Sequence, residues 1–194
     1  MIPVVILAGG KSSRMGRDKL ALSVDGKTLL ESAVGRFSDV FDNVYLSVAD
    51  VEKYPEISVN RIVDIIPGAG PMSGLHAALS ELGADGVFLV AADLPFSSPD
   101  AALRIIEMCQ QSGKSACVVR LSDGKLEPLF GYYRKELMGK CEDLIKIGDY
   151  RMTELLPEST TRFVMPEELG ELWSDVLIMN VNYPEDYERL RTVR

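Results

Sequence analysis

The sequence has little of several residue types on which common kinds of functional site depend. It contains one histidine and one tryptophan among 194 residues, so histidine-based metal sites and Ser-His-Asp catalysis have almost no material. Its three cysteines, Cys109, Cys117 and Cys141, are odd in number and widely spaced, which fits neither a disulfide framework nor a zinc site. These shortages favour a reducing, cytoplasmic setting and predict a structural role for the single histidine, His76.

Positive charge is also in short supply, because 21 lysine and arginine residues face 29 aspartate and glutamate residues, a formal net charge of −8. That balance argues against a nucleic-acid partner and against an anionic membrane surface, since both need a basic face.

No apolar run approaches the ~20 residues needed to span a bilayer, and no charged-then-apolar leader precedes the first predicted strand. The length and a hydrophobic fraction of 46% predict one globular domain over residues 1–194.

The positive charge that is present is concentrated in the loop after the first predicted strand. The segment from Pro3 to Leu7 is apolar and rich in β-branched residues, as in a buried strand. Three glycines follow it, Gly9, Gly10 and Gly16, and they allow successive backbone N–H groups to turn inward and bind an anion. The cations of the loop are Lys11, Arg14, Arg17 and Lys19. This combination predicts a binding site for a polyphosphate.

Neither of two common phosphate-binding motifs accounts for this loop. A P-loop would need a glycine five positions before the glycine of Gly10-Lys11-Ser12, and that position is Val5. The dinucleotide motif G-x-G-x-x-G is missing as well, because Gly68, Gly70 and Gly74 are spaced G-x-G-x-x-x-G. The loop therefore belongs to another kind of phosphate site.

Apolar runs and helical periodicity predict that strands and helices alternate along the chain. The predicted strands cover residues 3–7, 44–48, 60–63, 87–92, 116–121, 127–133, 163–165 and 176–181. The predicted helices cover residues 28–37, 72–82, 134–147, 152–156 and 184–190, with a further helix beginning at Ser98-Pro99 and Ser73 as a candidate cap of the second. This order predicts an α/β domain of three layers with a mainly parallel sheet.

Two aspartates fall at the carboxyl ends of predicted strands, where sheets of this class bind ligands. Asp64 follows residues 60–63, and Asp93 follows residues 87–92. A fixed carboxylate such as Asp93 suits a hard divalent cation on substrate phosphates, although an aspartate there can also cap a turn. Asp64 precedes the loop that ends at Pro71, so a turn-forming role fits it equally well. We expect both aspartates to meet the glycine-rich loop from Gly9 to Lys19, called the opening loop below, in one crevice.

The segment L-A-G-G-x-S-x-R-M-G-x-D-K, from Leu7 to Lys19, resembles the signature of the molybdenum cofactor guanylyltransferases. Sugar-nucleotide pyrophosphorylases and cytidylyltransferases are broader relatives that share the glycine loop and the lysine. The resemblance implies a three-layer α/β/α Rossmann-like fold of the nucleotide-diphospho-sugar transferase kind, with GTP as substrate and Mg²⁺ as cofactor. Gly9 supports a purine nucleotide, because the cytidylyl relatives usually carry alanine at that position.

The resemblance also implies roles for individual residues of this sequence. The implied catalytic residues are Arg14, Lys19 and Asp93, and Asp93 is also the implied magnesium ligand. The residues implied for nucleotide binding are Leu7, Ala8, Gly9, Gly10, Lys19, Asp64 and Asp93. The residues implied on the substrate side are Glu127, Asn180 and Asn182. One segment departs from the family pattern: the family often has base- or ribose-contacting asparagines where this chain has Ser47-Val48-Ala49-Asp50.

The implied reaction is nucleotidyl transfer, in which the terminal phosphate of molybdopterin attacks the α-phosphorus of GTP and pyrophosphate leaves. A phosphate monoester is anionic at neutral pH, so the reaction needs no general base, which fits a chain with one histidine. Two alternatives stay open: a related enzyme using CTP or a sugar-phosphate or other cofactor-phosphate acceptor, and a nucleotide-binding protein without turnover. The resemblance further implies transient contact with proteins of cofactor biosynthesis or with molybdoenzymes.

Overall fold

The structure, a computed structural model, describes residues 2–9, 18–24, 26–181 and residue 186. The strands, in chain order, are β1 (Val4–Leu7), β2 (Ser23–Val24), β3 (Lys27–Thr28), β4 (Val44–Val48), β5 (Asn60–Val63), β6 (Gly86–Ala91), β7 (Ala116–Arg120), β8 (Leu126–Arg134) and β9 (Thr161–Val164). The helices are α1 (Leu29–Ser38), α2 (Pro71–Glu81), α3 (Pro99–Ser112), α4 (Met138–Lys146) and α5 (Pro166–Leu169). The helix predicted over residues 184–190 lies outside the described residues.

Seven of these strands form one sheet in the order β5-β4-β1-β6-β8-β7-β9. Strand β1 pairs in parallel with both β4 and β6, β4 pairs in parallel with β5, and β7 pairs in parallel with β9. Strand β8 is the exception, because it runs antiparallel to both of its neighbours, β6 and β7. The prediction of an α/β domain with a mainly parallel sheet is therefore confirmed, and the carboxyl ends of β5, β4, β1 and β6 lie side by side.

Buried side chains on both faces of the sheet produce the three layers. Along β1, Val4 and Ile6 pack into one apolar cluster and Val5 and Leu7 into another, as alternation along a strand requires. The first cluster includes buried residues of α1 and α3, and the second includes buried residues of α2 and α4. Because both faces are covered by helices, the central strands are continuous apolar runs, which is why they were predictable from sequence.

The ends of the helices follow the local sequence signals, with one exception. Helix α1 begins with a capping box, in which the backbone N–H of Glu31 donates to Thr28 Oγ1 over 3.0 Å and that of Thr28 donates to Glu31 Oε2. Helix α3 begins at Ser98-Pro99, as predicted, because the backbone N–H of Ala101 donates to the Ser98 hydroxyl. The prediction that Ser73 caps α2 is wrong. Helix α2 begins at Pro71, with Gly70 as its N-cap, and Ser73 lies inside the helix.

The prediction of a strand over residues 176–181 is also wrong. Residues 175–178 form a turn, in which the backbone N–H of Leu177 donates to Ser174 and that of Met179 donates to Val176. Leu177 and Val181 are buried, so the apolar character of the run reflects packing. An apolar run alone does not distinguish a buried turn from a buried strand, and here local hydrogen bonds replace a strand ladder.

None of the helices in the described ranges has both the length and the apolar character that crossing a bilayer requires.

Replacing Gly74 with alanine is expected to lower the free energy of unfolding by about 1–3 kcal/mol, because it overpacks the interior. Gly74 lies in α2 against the sheet, and a Cβ there would overlap the Ser47 hydroxyl and come within 2.7 Å of Leu7 Cδ2. Thermal unfolding followed by circular dichroism should show the loss, at about 2–4 °C in Tm for each kcal/mol.

Gly35→Ala is the matched control, because the same substitution in α1 would place a Cβ with no atom within 4 Å. It should raise the stability by about 0.5–1 kcal/mol through helix propensity alone. Equal unfolding midpoints for the two variants would contradict the packing argument at Gly74.

Candidate active site

The carboxyl ends of β1, β4, β5 and β6 surround a pocket of about 500 Å³. Its lining includes Leu7 and Gly9 after β1, Asp64 after β5 and Asp93 after β6. Ligands of doubly wound α/β proteins bind at this edge of the sheet, because the loops that leave neighbouring parallel strands converge there. The structure thus brings the start of the opening loop and both predicted aspartates to one crevice.

An ion pair between Lys19 and Asp93 lies in this pocket. Lys19 Nζ is 2.5 Å from Asp93 Oδ2, and the two side chains are 21% and 17% exposed. These residues are 74 positions apart in the sequence, and they meet because β1 and β6 are neighbouring strands. A lysine held at the wall of a pocket by a carboxylate is a charge arrangement suited to a polyanion and a cation together.

The backbone around Lys19 is held by Asp18. The N–H of Leu20 donates to Asp18 Oδ1 over 3.0 Å, which caps a short 3-10 turn over Lys19–Ala21. The Tyr54 hydroxyl donates to the second oxygen, Oδ2, over 2.7 Å. Both carboxylate oxygens of Asp18 are therefore engaged, and the residue that follows it is fixed at the edge of the pocket.

The loop that carries Asp93 is held on three sides. The Ala92 N–H donates to the carbonyl of Leu7, and the Val181 N–H donates to the carbonyl of Asp93 over 3.1 Å. The Arg36 guanidinium donates to the Leu94 carbonyl over 3.3 Å. Burial lowers the pKa of Arg36. Because Val181 bonds to Asp93, the neighbouring Asn180 is brought beside the carboxyl end of β6.

A second carboxylate, Glu127 on β8, lies near Asp93. Burial raises the pKa of Glu127, the charge of Asp93 adds to that rise, and the backbone N–H of Leu129 opposes it by donating to Glu127 Oε1 over 2.9 Å. A buried carboxylate beside another is costly to ionise unless a cation arrives. The two carboxylates together carry more negative charge than the Lys19 ammonium neutralises, which favours a further cation beside them.

The other end of the pocket is built by Asp64 and the loop that follows it. Burial raises the pKa of Asp64. Gly68 and Gly70 take positive φ angles of 95° and 60°, which only glycine adopts readily, so the loop has the shaped form that its glycines and prolines predict. Gly70 and Pro71 line the pocket at the N-terminus of α2.

A comparison with known protein families decides what kind of protein has this pocket. The model of the MobA-like NTP transferase domain matches residues 4–162, which include every strand of the sheet except the last two residues of β9. The chain belongs to this family. It is therefore an enzyme of the nucleotidyltransferase class.

Individual relatives agree with that assignment. A protein of Thermococcus kodakarensis named probable molybdenum cofactor guanylyltransferase is 35% identical over 193 residues, which cover 97% of this chain and 94% of that one. The structure of molybdopterin-guanine dinucleotide biosynthesis protein A from Archaeoglobus fulgidus is similar with a TM-score of 0.87 at 24% identity, covering 99% and 98% of the two chains. The Rv0371c protein of Mycobacterium tuberculosis, solved in complex with manganese, has a TM-score of 0.68 at 19% identity, covering 100% and 99%. The two structures establish the fold.

The remaining predicted residues of this MobA-like transferase differ in their placement. Ala8 is buried, and its N–H donates to the carbonyl of Ser47, so it supports the pocket from behind. The predicted residues Gly10, Arg14 and Asn182 lie outside the described residues.

One charged residue that lines the described pocket of this MobA-like transferase was not predicted from the sequence. Lys53 lines the pocket together with Ser47, Val48 and Ala49, the segment that departs from the family pattern. Nothing in periodicity or motif spacing singles out a lysine in the long loop after β4. The one available signal was that departure itself, which left a nucleotide contact without an assigned residue.

Proposed function

We propose that this nucleotidyltransferase transfers GMP from GTP to the terminal phosphate of a molybdopterin, with release of pyrophosphate. The observation that carries the proposal is the Lys19–Asp93 pair in a pocket at the carboxyl ends of β1 and β6. The identity of the nucleotide and of the acceptor is supported by the name that the relative from Thermococcus kodakarensis carries.

The pocket supports a reaction that works by alignment and charge. The acceptor is a phosphate monoester, which is already anionic at neutral pH, so attack on the α-phosphorus of GTP requires no base. The only histidine, His76, is buried in α2, where its Nε2 faces Glu142 at 3.4 Å. The barrier is lowered by holding the two phosphates in line and by stabilising the charge that accumulates on the leaving pyrophosphate.

At the β6 end of the pocket, Lys19 is placed to meet that charge. It forms an ion pair with Asp93 in a partly exposed position, so an arriving polyphosphate can take over its ammonium group. That exchange would release an oxygen of Asp93 while neutralising the phosphates. In the loop beyond the described residues we assign Gly10 to the phosphates, through its backbone N–H, and Arg14 to the leaving pyrophosphate.

The residues near Asp93 fit a divalent cation, and we propose Mg²⁺. Mg²⁺ with nucleotides is usually held by one or two carboxylates plus the substrate phosphates; Asp93 is a partly buried carboxylate of that kind, with Glu127 beside it. In the described ranges no three acidic, histidine or cysteine side chains form a closed metal site. When bound, the cation would neutralise charge on the phosphates. Asp93 would hold it, and Asn180 and Asn182 would lie toward the acceptor phosphate.

The proposed setting is the cytoplasm, with transient contact to proteins of cofactor biosynthesis or to molybdoenzymes and with neither nucleic acid nor membrane as a partner. Cys109, Cys117 and Cys141 are all buried as free thiols, which fits a reducing compartment. The acidic net charge of −8 supports the exclusion of nucleic acid.

Pyrophosphate release with Mg²⁺, a molybdopterin acceptor and GTP, compared with ATP and CTP, tests the proposal. The expected result is release that depends on the acceptor and is fastest with GTP. Preference for CTP would place the enzyme with the cytidylyl relatives, and activity only with sugar phosphates would replace the acceptor. Tight nucleotide binding with no pyrophosphate release for any acceptor would refute catalysis.

A further inference from the structure

The backbone conformation at Tyr54 is the most unusual in the described structure. Tyr54 has φ of 54°, and it is the one non-glycine residue with a positive φ among the described residues. A bulky side chain in the left-handed region is strained, and such strain persists only where surrounding contacts impose it. Contacts around Tyr54 must therefore hold this conformation, and the conformation in turn affects the position of the neighbouring residue.

The cause is a set of hydrogen bonds at both ends of the residue. The Tyr54 hydroxyl donates to Asp18 Oδ2 over 2.7 Å, and the Tyr54 carbonyl accepts from Arg61 Nη2 over 2.6 Å and from the Ile57 N–H over 3.0 Å. Asp18 lies before the 3-10 turn of Lys19 and Arg61 lies in β5, whereas Ile57 lies in the loop after β4 itself. Tyr54 thus ties the loop after β4 to both sides of the pocket.

The consequence falls on the preceding residue, Lys53. Its N–H donates to the Asp50 carbonyl over 3.1 Å, in a turn that Asp50 Oδ1 also holds by accepting from the Glu52 N–H. The turn on one side and the left-handed Tyr54 on the other direct Lys53 to the pocket, which it lines. Its ammonium lies 6.0 Å from the centre of the Tyr54 ring.

The loop of Lys53 continues from β4, at the end of the pocket away from Asp93. The strand order runs β5-β4-β1-β6, and at about 4.8 Å between strands the ends of β5 and β6 are about 14 Å apart. Lys19 and Asp93 hold the phosphates at the β6 end in the proposed function, so the base of the nucleotide falls toward β4 and β5. Lys53, Val48 and Ala49 line that half.

We propose that the Lys53 ammonium donates a hydrogen bond to the exocyclic carbonyl oxygen of the purine and so selects guanine; this rests on the proposed function of the same pocket. An ammonium carries three donors and no acceptor. Guanine presents a carbonyl oxygen at its six-position, whereas adenine and cytosine present amino groups at the corresponding place, which repel a donor. Lys53 supplies a nucleotide contact in the loop after β4, where the sequence lacks the family's asparagines.

Equilibrium binding of GTP, ITP and ATP by calorimetry, with Mg²⁺ and no acceptor, tests the assignment on the full chain. ITP keeps the carbonyl oxygen but lacks the 2-amino group, so it isolates the contact. Lys53→Met, which keeps most of the apolar stem, should weaken GTP and ITP binding by about tenfold and leave ATP binding within about twofold. Lys53→Arg, which keeps the donors, should recover most of the preference for GTP over ATP.

Lys146→Met is the matched control, because Lys146 is an exposed lysine on α4 that pairs with Asp143. It should leave all three affinities unchanged. Equal weakening of GTP and ATP in Lys53→Met would show a phosphate or ribose contact and overturn the assignment, as would an unchanged affinity for all three or a wild-type chain that binds none of them.

Binding and turnover separate this assignment from the proposed function. If the wild-type chain releases no pyrophosphate but the Lys53→Met variant binds GTP and ITP selectively more weakly, the proposed transfer is refuted and the role of Lys53 is supported. If the wild-type chain transfers GMP and the Lys53→Met variant shows no selective loss of GTP and ITP affinity, only the role of Lys53 is refuted.

Discussion

Lys19→Ala is expected to lower kcat/KM for GTP by about a hundredfold or more, the range found when one preorganised donor to developing charge is removed. The Lys19 ammonium lies 2.5 Å from Asp93 at the phosphate end of the pocket, and it is the described cation best placed to meet the leaving pyrophosphate. Initial rates of pyrophosphate release over a range of GTP concentrations measure the loss. Because the group acts on the transition state, kcat should fall more than KM rises.

Lys125→Ala is a control of the same chemistry, since Lys125 also pairs with an aspartate, Asp123, at 2.8 Å on the exposed surface. It should leave turnover unchanged. Lys19→Arg should retain part of the activity, because the charge remains while its shape and reach change. Turnover by Lys19→Ala within a few fold of the wild type would refute the role given to this residue.

Asp93→Asn is expected to reduce metal-dependent turnover by about a thousandfold and to raise the Mg²⁺ concentration needed for half-maximal rate. The substitution keeps the size of the side chain and removes the charge that both Lys19 and a divalent cation require. Titration of the rate with Mg²⁺, and separately with Mn²⁺, at saturating GTP measures both changes.

Thermal unfolding distinguishes this loss from a folding defect. The side chains of the Lys19–Asp93 pair are only 21% and 17% exposed, but an asparagine of the same size keeps a carbonyl oxygen that can accept from the Lys19 ammonium. Asp93→Asn should therefore unfold within a few degrees of the wild type, and Asp123→Asn, on the exposed surface, should change neither rate nor stability. Wild-type turnover by Asp93→Asn at the same Mg²⁺ concentration would exclude Asp93 as the metal ligand.

The sheet and the meeting of Asp64 and Asp93 were predictable for a physical reason. Strands β1 and β6 are buried on both faces, so their sequences are uninterrupted apolar runs, and the glycine loop and Asp93 begin just after them. Asp64 directly follows the short edge strand β5. Parallel strands place such ends on one edge. One half of the pocket was therefore predictable from the sequence.

Other features depend on contacts that a single sequence does not display. The antiparallel direction of β8 follows from its partners, and the buried turn near Leu177 has the same apolar composition as a strand. Lys53 enters the pocket because Tyr54 takes a left-handed conformation, and that conformation depends on Asp18, 36 residues away. A hydrogen bond between residues so far apart in the sequence cannot be predicted from local sequence patterns.

The antiparallel strand β8 has a consequence for how an enzyme of this kind can change its substrates over evolution. It divides the sheet into a parallel half, β5-β4-β1-β6, which supplies most of the described pocket lining, and a half formed by β8, β7 and β9. The five registered residue pairs between β6 and β8 join the two halves. Of the second half, β8 alone supplies a residue of the described pocket lining, Leu129, and its Glu127 lies near Asp93. Substitutions on β7 and β9 can therefore accumulate with little effect on the pocket, whereas a change of substrate requires substitutions on β8 or in the parallel half.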